Sequence, residues 1–189
     1  MKKGRIITVS GISGAGKSHF IKDALTGGFN LEKLTAVTTR KQRENEIDGI
    51  DKFFMEQDQF NYLNENNELE GVLDKFGCMY AFRKSDIAKT GDGKNLITEA
   101  YFSEVPTFKQ LFPDTHCVYI MPENPNAALE ELNKRNIPAS EKLKRHKDMI
   151  FELEKMSESD RKNFFKIFHN AYDEQSLVRF REYLSEITR

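Results

Sequence analysis

The stretch Gly11-Ile12-Ser13-Gly14-Ala15-Gly16-Lys17-Ser18 constrains this chain more than any other. It follows an apolar run, Ile6-Ile7-Thr8-Val9, and precedes residues at helical spacing, Phe20, Ile21, Ala24 and Leu25. Strand, glycine loop and helix start is the context a phosphate loop requires. Glycines let the backbone turn tightly, so that successive N–H groups point at phosphate oxygens. The helix beginning at Lys17 adds the positive end of its dipole. The Lys17 ammonium reaches the outer phosphates, and the Ser18 hydroxyl is suited to Mg²⁺. The pattern therefore predicts a nucleoside triphosphate, ATP or GTP, held by Gly11, Ser13, Gly14, Ala15, Gly16, Lys17 and Ser18. The competing account is a glycine-rich strand-to-helix turn that matches by chance; a strand and a helix both in register weigh against it.

With 29 Lys and Arg against 30 Asp and Glu, the net charge is −1, which argues against a broad nucleic-acid surface. The one basic cluster, Lys142 to Lys147, falls in a helical stretch. Cys78 and Cys117 lack metal-ligand spacing and read as idle or buried thiols, consistent with a reducing cytoplasm. The apolar run after Arg5 is too short for a signal peptide, and no stretch approaches a membrane span. The expected partners are nucleotide substrates, with no nucleic acid polymer and no membrane, and the expected state is a cytoplasmic monomer or homodimer.

In chain order, strands are expected at Arg5–Ser10, Leu34–Thr38, Lys52–Met55, Leu69–Leu73, Cys78–Phe82, Asn95–Glu99, Thr115–Met121 and Phe164–Phe168. The pair at Leu69–Leu73 and Cys78–Phe82 reads as a hairpin through Gly77. Helices are expected at Lys17–Thr26, Glu56–Asn66, after Ser85 and Ser103 as caps, through Ala127, Leu129 and Leu132, from Ser140 to about Met156, and at Asp173–Ile187. Strands alternating with helices predict an α/β fold with a parallel, doubly wound sheet. Residues 34–90 break that rhythm and read as a lobe inserted into a core formed by 1–33 and 91–189. The helical, basic, proline-broken region around 124–145 reads as a lid.

From Thr38-Thr39-Arg40 through Arg43 to Asp51-Lys52-Phe53-Phe54, the chain resembles the monophosphate-binding stretch of the guanylate kinase family, T-T-R-x-x-R followed by G-E-x-x-G-x-D-Y-x-F. Gly77-Cys78-Met79-Tyr80 resembles that family's G-N-x-Y, and Asn133-Lys134-Arg135 with Lys144-Arg145 resembles its lid arginines. Together with the phosphate loop the resemblance covers nearly the whole chain. It implies a P-loop core, an inserted monophosphate-binding lobe, a helical lid, and ATP- and Mg²⁺-dependent phosphoryl transfer to a nucleoside monophosphate, GMP or dGMP in this family. Independently of the family, two arginines three apart after a strand suit a dianionic phosphate, each offering a fork of donors; a solvated charged loop is the alternative.

The resemblance assigns Arg40 and Arg43, helped by the Tyr80 hydroxyl, to the acceptor's phosphate, although Tyr80 also reads as a half-buried strand aromatic. Arg135 and Arg145 would close over the phosphates; ordinary surface charge is the plain alternative. Glu99, at the carboxyl end of a core strand, is placed to hold Mg²⁺ through water together with Ser18, or else is a strand-end acid facing solvent. Asn170 would contact the donor base, or serve as a turn residue. Catalysis is thus expected from Lys17, Arg40, Arg43, Arg135 and Arg145.

The departures concern the base. Where the family reads guanine with polar side chains, this chain has Ala36, Gly71, Phe82 and Tyr101, and Lys52 replaces the tyrosine of D-Y-x-F. One lid arginine is replaced by Glu131. Phe82 and Tyr101 suggest an apolar or stacking base pocket, with Glu70, Asp74 or Thr35 as neighbours able to compensate. The expectation is a monophosphate kinase with altered base choice. The competing readings are a kinase of a non-nucleotide phosphate such as a sugar phosphate, and an idle guanylate kinase-like binding module, against which the intact loop counts.

Overall fold

The structure, a computed structural model, describes residues 3–44, 46–75, 77–134, 136–156, 162 and 164–188. Strand β1 (Ile6–Ser10) is buried along its whole length, as a strand covered on both faces must be. After α1 (Lys17–Thr26) come β2 (Leu31–Lys33), β3 (Val37–Thr38), β4 (Phe53–Phe54), α2 (Gln57–Glu65), β5 (Leu69–Lys75) and β6 (Cys78–Arg83). Then follow α3 (Lys84–Ala88), β7 (Asn95–Glu99), α4 (Val105–Leu111), β8 (His116–Pro122), α5 (Pro125–Asn133), α6 (Ala139–Met156), β9 (Lys166–Asn170) and α7 (Glu174–Ile187).

Five of these strands form one parallel sheet in the order β2-β7-β1-β8-β9. Because β1 lies between β7 and β8, the carboxyl ends of all three open onto the same edge. In open α/β sheets that crevice is where ligands bind. Helix α1 turns Phe20, Ile21 and Ala24 inward, and α7 meets it with Phe180, edge-on to Phe20 at 5.4 Å. Asp173 caps α7, accepting from the Ser176 N–H at 2.9 Å.

The lobe is a second sheet, β4-β3-β6-β5, antiparallel except for the β3–β4 pair. Its own small core is Val37, Phe60, Leu69 and Ala81. A separate apolar cluster joins lobe to core: Leu34, Ala36 and Phe82 pack with Ile6, Leu96, Ala100 and Phe108.

Several expected elements are corrected. Leu34–Thr38 is not one strand: only Val37–Thr38 is β-structure, while Leu31–Lys33 forms the edge of the core sheet. The last strand is Lys166–Asn170, two residues later than Phe164–Phe168; Phe164 instead packs against Tyr119 and Phe102. Neither serine acts as a cap. Ser85 lies inside α3, and a short 3₁₀ turn at Phe102–Glu104 precedes α4. The hairpin forms as expected, with Gly77 at φ 77° in its turn.

Candidate active site

The phosphate loop runs from the end of β1 to the start of α1. Gly14 and Gly16 adopt φ of 87° and 89°, where a side chain is strained. Space forbids one as well: a Cβ on Gly14 would strike the Ala128 carbonyl of α5, and one on Gly16 would lie 2.8 Å from the Asn170 amide nitrogen. Gly16 is the N-cap of α1 without a side-chain cap, so the first-turn N–H groups face the loop's mouth. Lys17 folds back over its own loop, its Nζ donating to Gly11 O at 2.8 Å and Ile12 O at 3.2 Å.

Ser18 donates through Oγ to Glu99 Oε1 at 2.6 Å, bringing together the two residues expected to serve Mg²⁺. Glu99, the last residue of β7, is reached by solvent yet has a carboxyl crowded by protein. Crowding alone would raise its carboxyl. Lys17, the Ser18 hydroxyl and Lys52 outweigh that and hold it below the usual carboxylate range. Among the described residues no cluster of three metal-binding side chains exists. One hydroxyl and one carboxylate suit Mg²⁺, which takes few protein ligands and completes its shell with water and substrate phosphates.

A cleft of about 580 Å³ extends from the loop past Lys17, His19, Glu131, Asn170 and Tyr172. Asn170 is buried, and both ends of its amide are engaged: Nδ2 donates to Ala15 O at 3.0 Å and Oδ1 accepts from Tyr172 N at 2.8 Å. It braces the phosphate loop, where sequence suggested a contact with the donor base. Tyr172 does the same from the other side, its hydroxyl donating to Gly14 O at 3.0 Å from a left-handed backbone, φ 61°. No sequence signal marks that role. Glu131, in the expected place of an arginine, pairs with Lys134 at the cleft's rim.

The acceptor side is assembled from separate segments. Thr38 and Thr39 stitch β3 to β6: Thr38 Oγ1 donates to Met79 O at 2.9 Å, and Thr39 Oγ1 accepts from Met79 N at 2.9 Å. Thr38 Oγ1 also receives the Arg40 N–H at 3.1 Å, which fixes where that arginine starts. The Arg40 guanidinium then forks onto Glu46, with NH2 2.7 and 2.9 Å from its two oxygens. Glu46 also accepts from the Arg43 backbone N–H at 2.9 Å. Burial would raise the Glu46 carboxyl, but Arg40 and Arg43 together lower it.

The Arg43 side chain reaches Glu141 of α6, 2.9 Å away, and Arg145 reaches the same oxygen. Tyr80, opposite Thr38 on β6, lies beside Arg40. Sequence reading thus brings together Lys17, Ser18, Glu99, Arg40, Arg43, Tyr80 and Arg145. It missed Glu46, Tyr172 and the contact of Arg43 with Glu141. Arg135 lies outside the described residues.

One base-side expectation is corrected. Phe82 offers no stacking face: it is 7% exposed and edge-on to Phe108 in the lobe–core cluster. Glu70 pairs with Lys84 on the lobe's own strands. Tyr101 is exposed, but the Lys75 ammonium lies over its ring. Burial lowers that ammonium to about 8, partly offset by Glu104 at 3.5 Å, and the Tyr101 hydroxyl is pushed up to about 12, chiefly by burial. Cys117 is buried and Cys78 half-buried, both as free thiols. No helix among the described residues is long and apolar enough to cross a membrane.

A family model described as "Guanylate kinase" matches residues 3–186. A guanylate kinase of Malacoplasma penetrans is 31% identical over 167 residues, 84% of each chain. One of Carboxydothermus hydrogenoformans is 29% identical over 153 residues, 80% of this chain and 75% of the relative. The crystal structure of guanylate kinase from Anaplasma phagocytophilum superimposes with a TM-score of 0.72 at 21% identity, covering all of this chain and 89% of that one. With its parallel core, phosphate loop and paired arginines after β3, this chain belongs to the guanylate kinase family, the P-loop kinases of nucleoside monophosphates.

Proposed function

We propose that this chain transfers the γ-phosphoryl group of ATP to a nucleoside monophosphate, with Mg²⁺, and that its acceptor base differs from guanine. The observation that carries the transfer is the nearness of two phosphate-suited groups, Lys17 and Ser18 with Glu99, and Arg40 and Arg43 with Tyr80, both within electrostatic reach of Lys52 through Glu99 and Arg40. Ser18 and Glu99 are the residues to hold Mg²⁺, which supplies charge neutralisation on the phosphates. The first-turn N–H groups of α1 and the Lys17 ammonium bind the donor phosphates. Arg40 and Arg43 hold the acceptor phosphate in line, and Arg145 closes over both. Phosphoryl transfer is chiefly positioning and electrostatics, and a phosphate dianion is already a nucleophile, so no general base is required. Residues 34–90 act as the acceptor lobe and 124–145 as the lid on a core of 1–33 and 91–189. Two free cysteines support a reducing cytoplasm as the working compartment.

Altered base choice is supported by what the pocket lacks. Guanine presents N–H donors at N1 and N2, and each donor left unpaired costs about 1–3 kcal/mol. Ala36 is apolar, Phe82 is turned into the core, and Gly71 sits at φ 66° in a strand bulge. The neighbouring acceptors are engaged elsewhere: Asp74 accepts from Gly77 N at 3.0 Å, and Glu70 faces Lys84. The same poverty of acceptors favours, as a second reading, a phosphorylated substrate without a purine, such as a sugar phosphate. An ADP-release assay with Mg–ATP against ribo- and deoxyribonucleoside monophosphates and sugar phosphates tests both. A preferred acceptor other than GMP is the expected outcome; GMP preferred by orders of magnitude refutes the altered base.

A further inference from the structure

Both arginines that face the acceptor are already engaged by carboxylates, in different ways. Glu46 belongs to the same loop as Arg40 and Arg43; its carboxylate takes the Arg40 fork and the Arg43 N–H together and is only 19% exposed. Glu141 comes from the first turn of α6, 98 residues along the chain from Arg43. It receives Arg43 NH2 at 2.9 Å, Arg145 Nε at 3.0 Å and Arg145 NH2 at 2.8 Å, all on Oε1. One oxygen therefore joins the acceptor loop to the lid helix. Two guanidinium groups converging on one anionic oxygen is the arrangement a phosphate oxygen also seeks. Glu141 is the more exposed of the two acids, 32% against 19%, and so the one that gives way more readily to another anion.

We infer that Glu141 is a resident stand-in for the acceptor's phosphate: it draws Arg43 and Arg145 together before substrate arrives and yields both to the incoming phosphate. This rests on the assignment of Arg43 to the acceptor phosphate. Glu141 is a positioning residue here, since it acts through the two arginines. The bridge between lobe and lid passes from the protein's own carboxylate to the substrate, so acceptor binding competes with an internal ion pair. That pair is partly exposed, which sets the competition at about threefold.

Steady-state kinetics of Glu141→Gln and Glu141→Ala test this, with the monophosphate turned over best in the ADP-release panel as acceptor and ribose 5-phosphate as a base-free competitor that reports on the same arginines whatever the base choice. Both variants are expected to lower the half-saturating concentration of that acceptor and the ribose 5-phosphate inhibition constant about threefold, to change kcat less than that, and to leave the KM for Mg–ATP unmoved. Acceptor-side constants that stay level or rise in both variants overturn the inference. Arg43→Ala, measured alongside, separates the two layers. If it does not weaken ribose 5-phosphate, the assignment of Arg43 fails and the stand-in with it. If it weakens ribose 5-phosphate tenfold or more while the Glu141 variants bind no more tightly, the stand-in alone fails.

Discussion

The donor and acceptor sides of this cleft handle the same chemical group in opposite ways. The donor side is backbone: consecutive residues, three glycines at positive φ, and helix N–H groups, braced from behind by Asn170 and Tyr172. The side proposed for the acceptor is side chains: arginines delivered by one loop and one helix, each held by a carboxylate. A backbone cradle is set by local sequence and presents its donors in one place. A side-chain clamp depends on distant partners and can be exchanged for a substrate. Rigidity on one side and exchangeability on the other suit a kinase that holds a polyphosphate in register while admitting a varying acceptor.

Substitutions on the two sides should therefore differ in kind. Lys17→Ala should have the largest effect, lowering kcat about a thousandfold, in the range seen when one donor to a developing charge is removed. Its melting temperature should fall only modestly, because besides the carbonyls of its own loop Lys17 supports the solvent-reached Glu99 carboxylate. A large loss of stability would mean that the lysine holds the loop as well as the phosphates. Arg40→Ala is next: the acceptor KM should rise between ten- and a hundredfold, since a hydrogen bond to a charged group contributes about 1.5–3 kcal/mol, while the ATP KM stays in place. An equal rise in both constants would erase the distinction between the sides.

Asn170→Ala tests the bracing. Removing a buried amide that serves two backbone partners should lower stability by about 1–3 kcal/mol in denaturant melts and raise the ATP KM but not the acceptor KM. Gly71→Ala should cost about 1 kcal/mol although a Cβ there would make only ordinary contacts with Leu111 and Phe82, because its backbone is left-handed. Lys75→Met gives the smallest effect, visible only against pH. The folded ammonium, at about 8, lies below the unfolded 10.5. Between those values the unfolded chain binds more protons, so wild-type stability gains with rising pH. The variant should lack that gain, by about 2 °C in a comparison of melts at pH 8 and 10.

What could be read in advance follows the same division. The phosphate loop was legible because its function is written in adjacent residues. The arginine pair was legible from spacing, yet Glu46 and the 98-residue reach from Arg43 to Glu141 were not: among neighbouring charges, nothing in a linear sequence distinguishes a clamp from a solvated loop. Phe82 was misread because a short strand with mixed residues on both faces does not reveal which face meets the core. Leu31–Lys33 was missed because one leucine and two charges look like a loop until β7 supplies the pairing. The last strand was placed two residues early because Phe164 and Phe165 mimic its start, although Phe165 is 68% exposed.

The apolar cluster between lobe and core has a mechanical meaning. The side chains of Leu34, Ala36 and Phe82 meet Ile6, Leu96, Ala100 and Phe108 through apolar contact, which depends on area, not angle, and one backbone bond, Leu34 N–H to Ile97 O at 2.9 Å, pins the junction. Pulling the lobe away would expose those side chains to water; tilting it would merely slide them over one another. The contact is a ball joint: it resists separation, permits rotation, and leaves the ionic contacts at the cleft's mouth to choose the angle at which the lobe comes to rest.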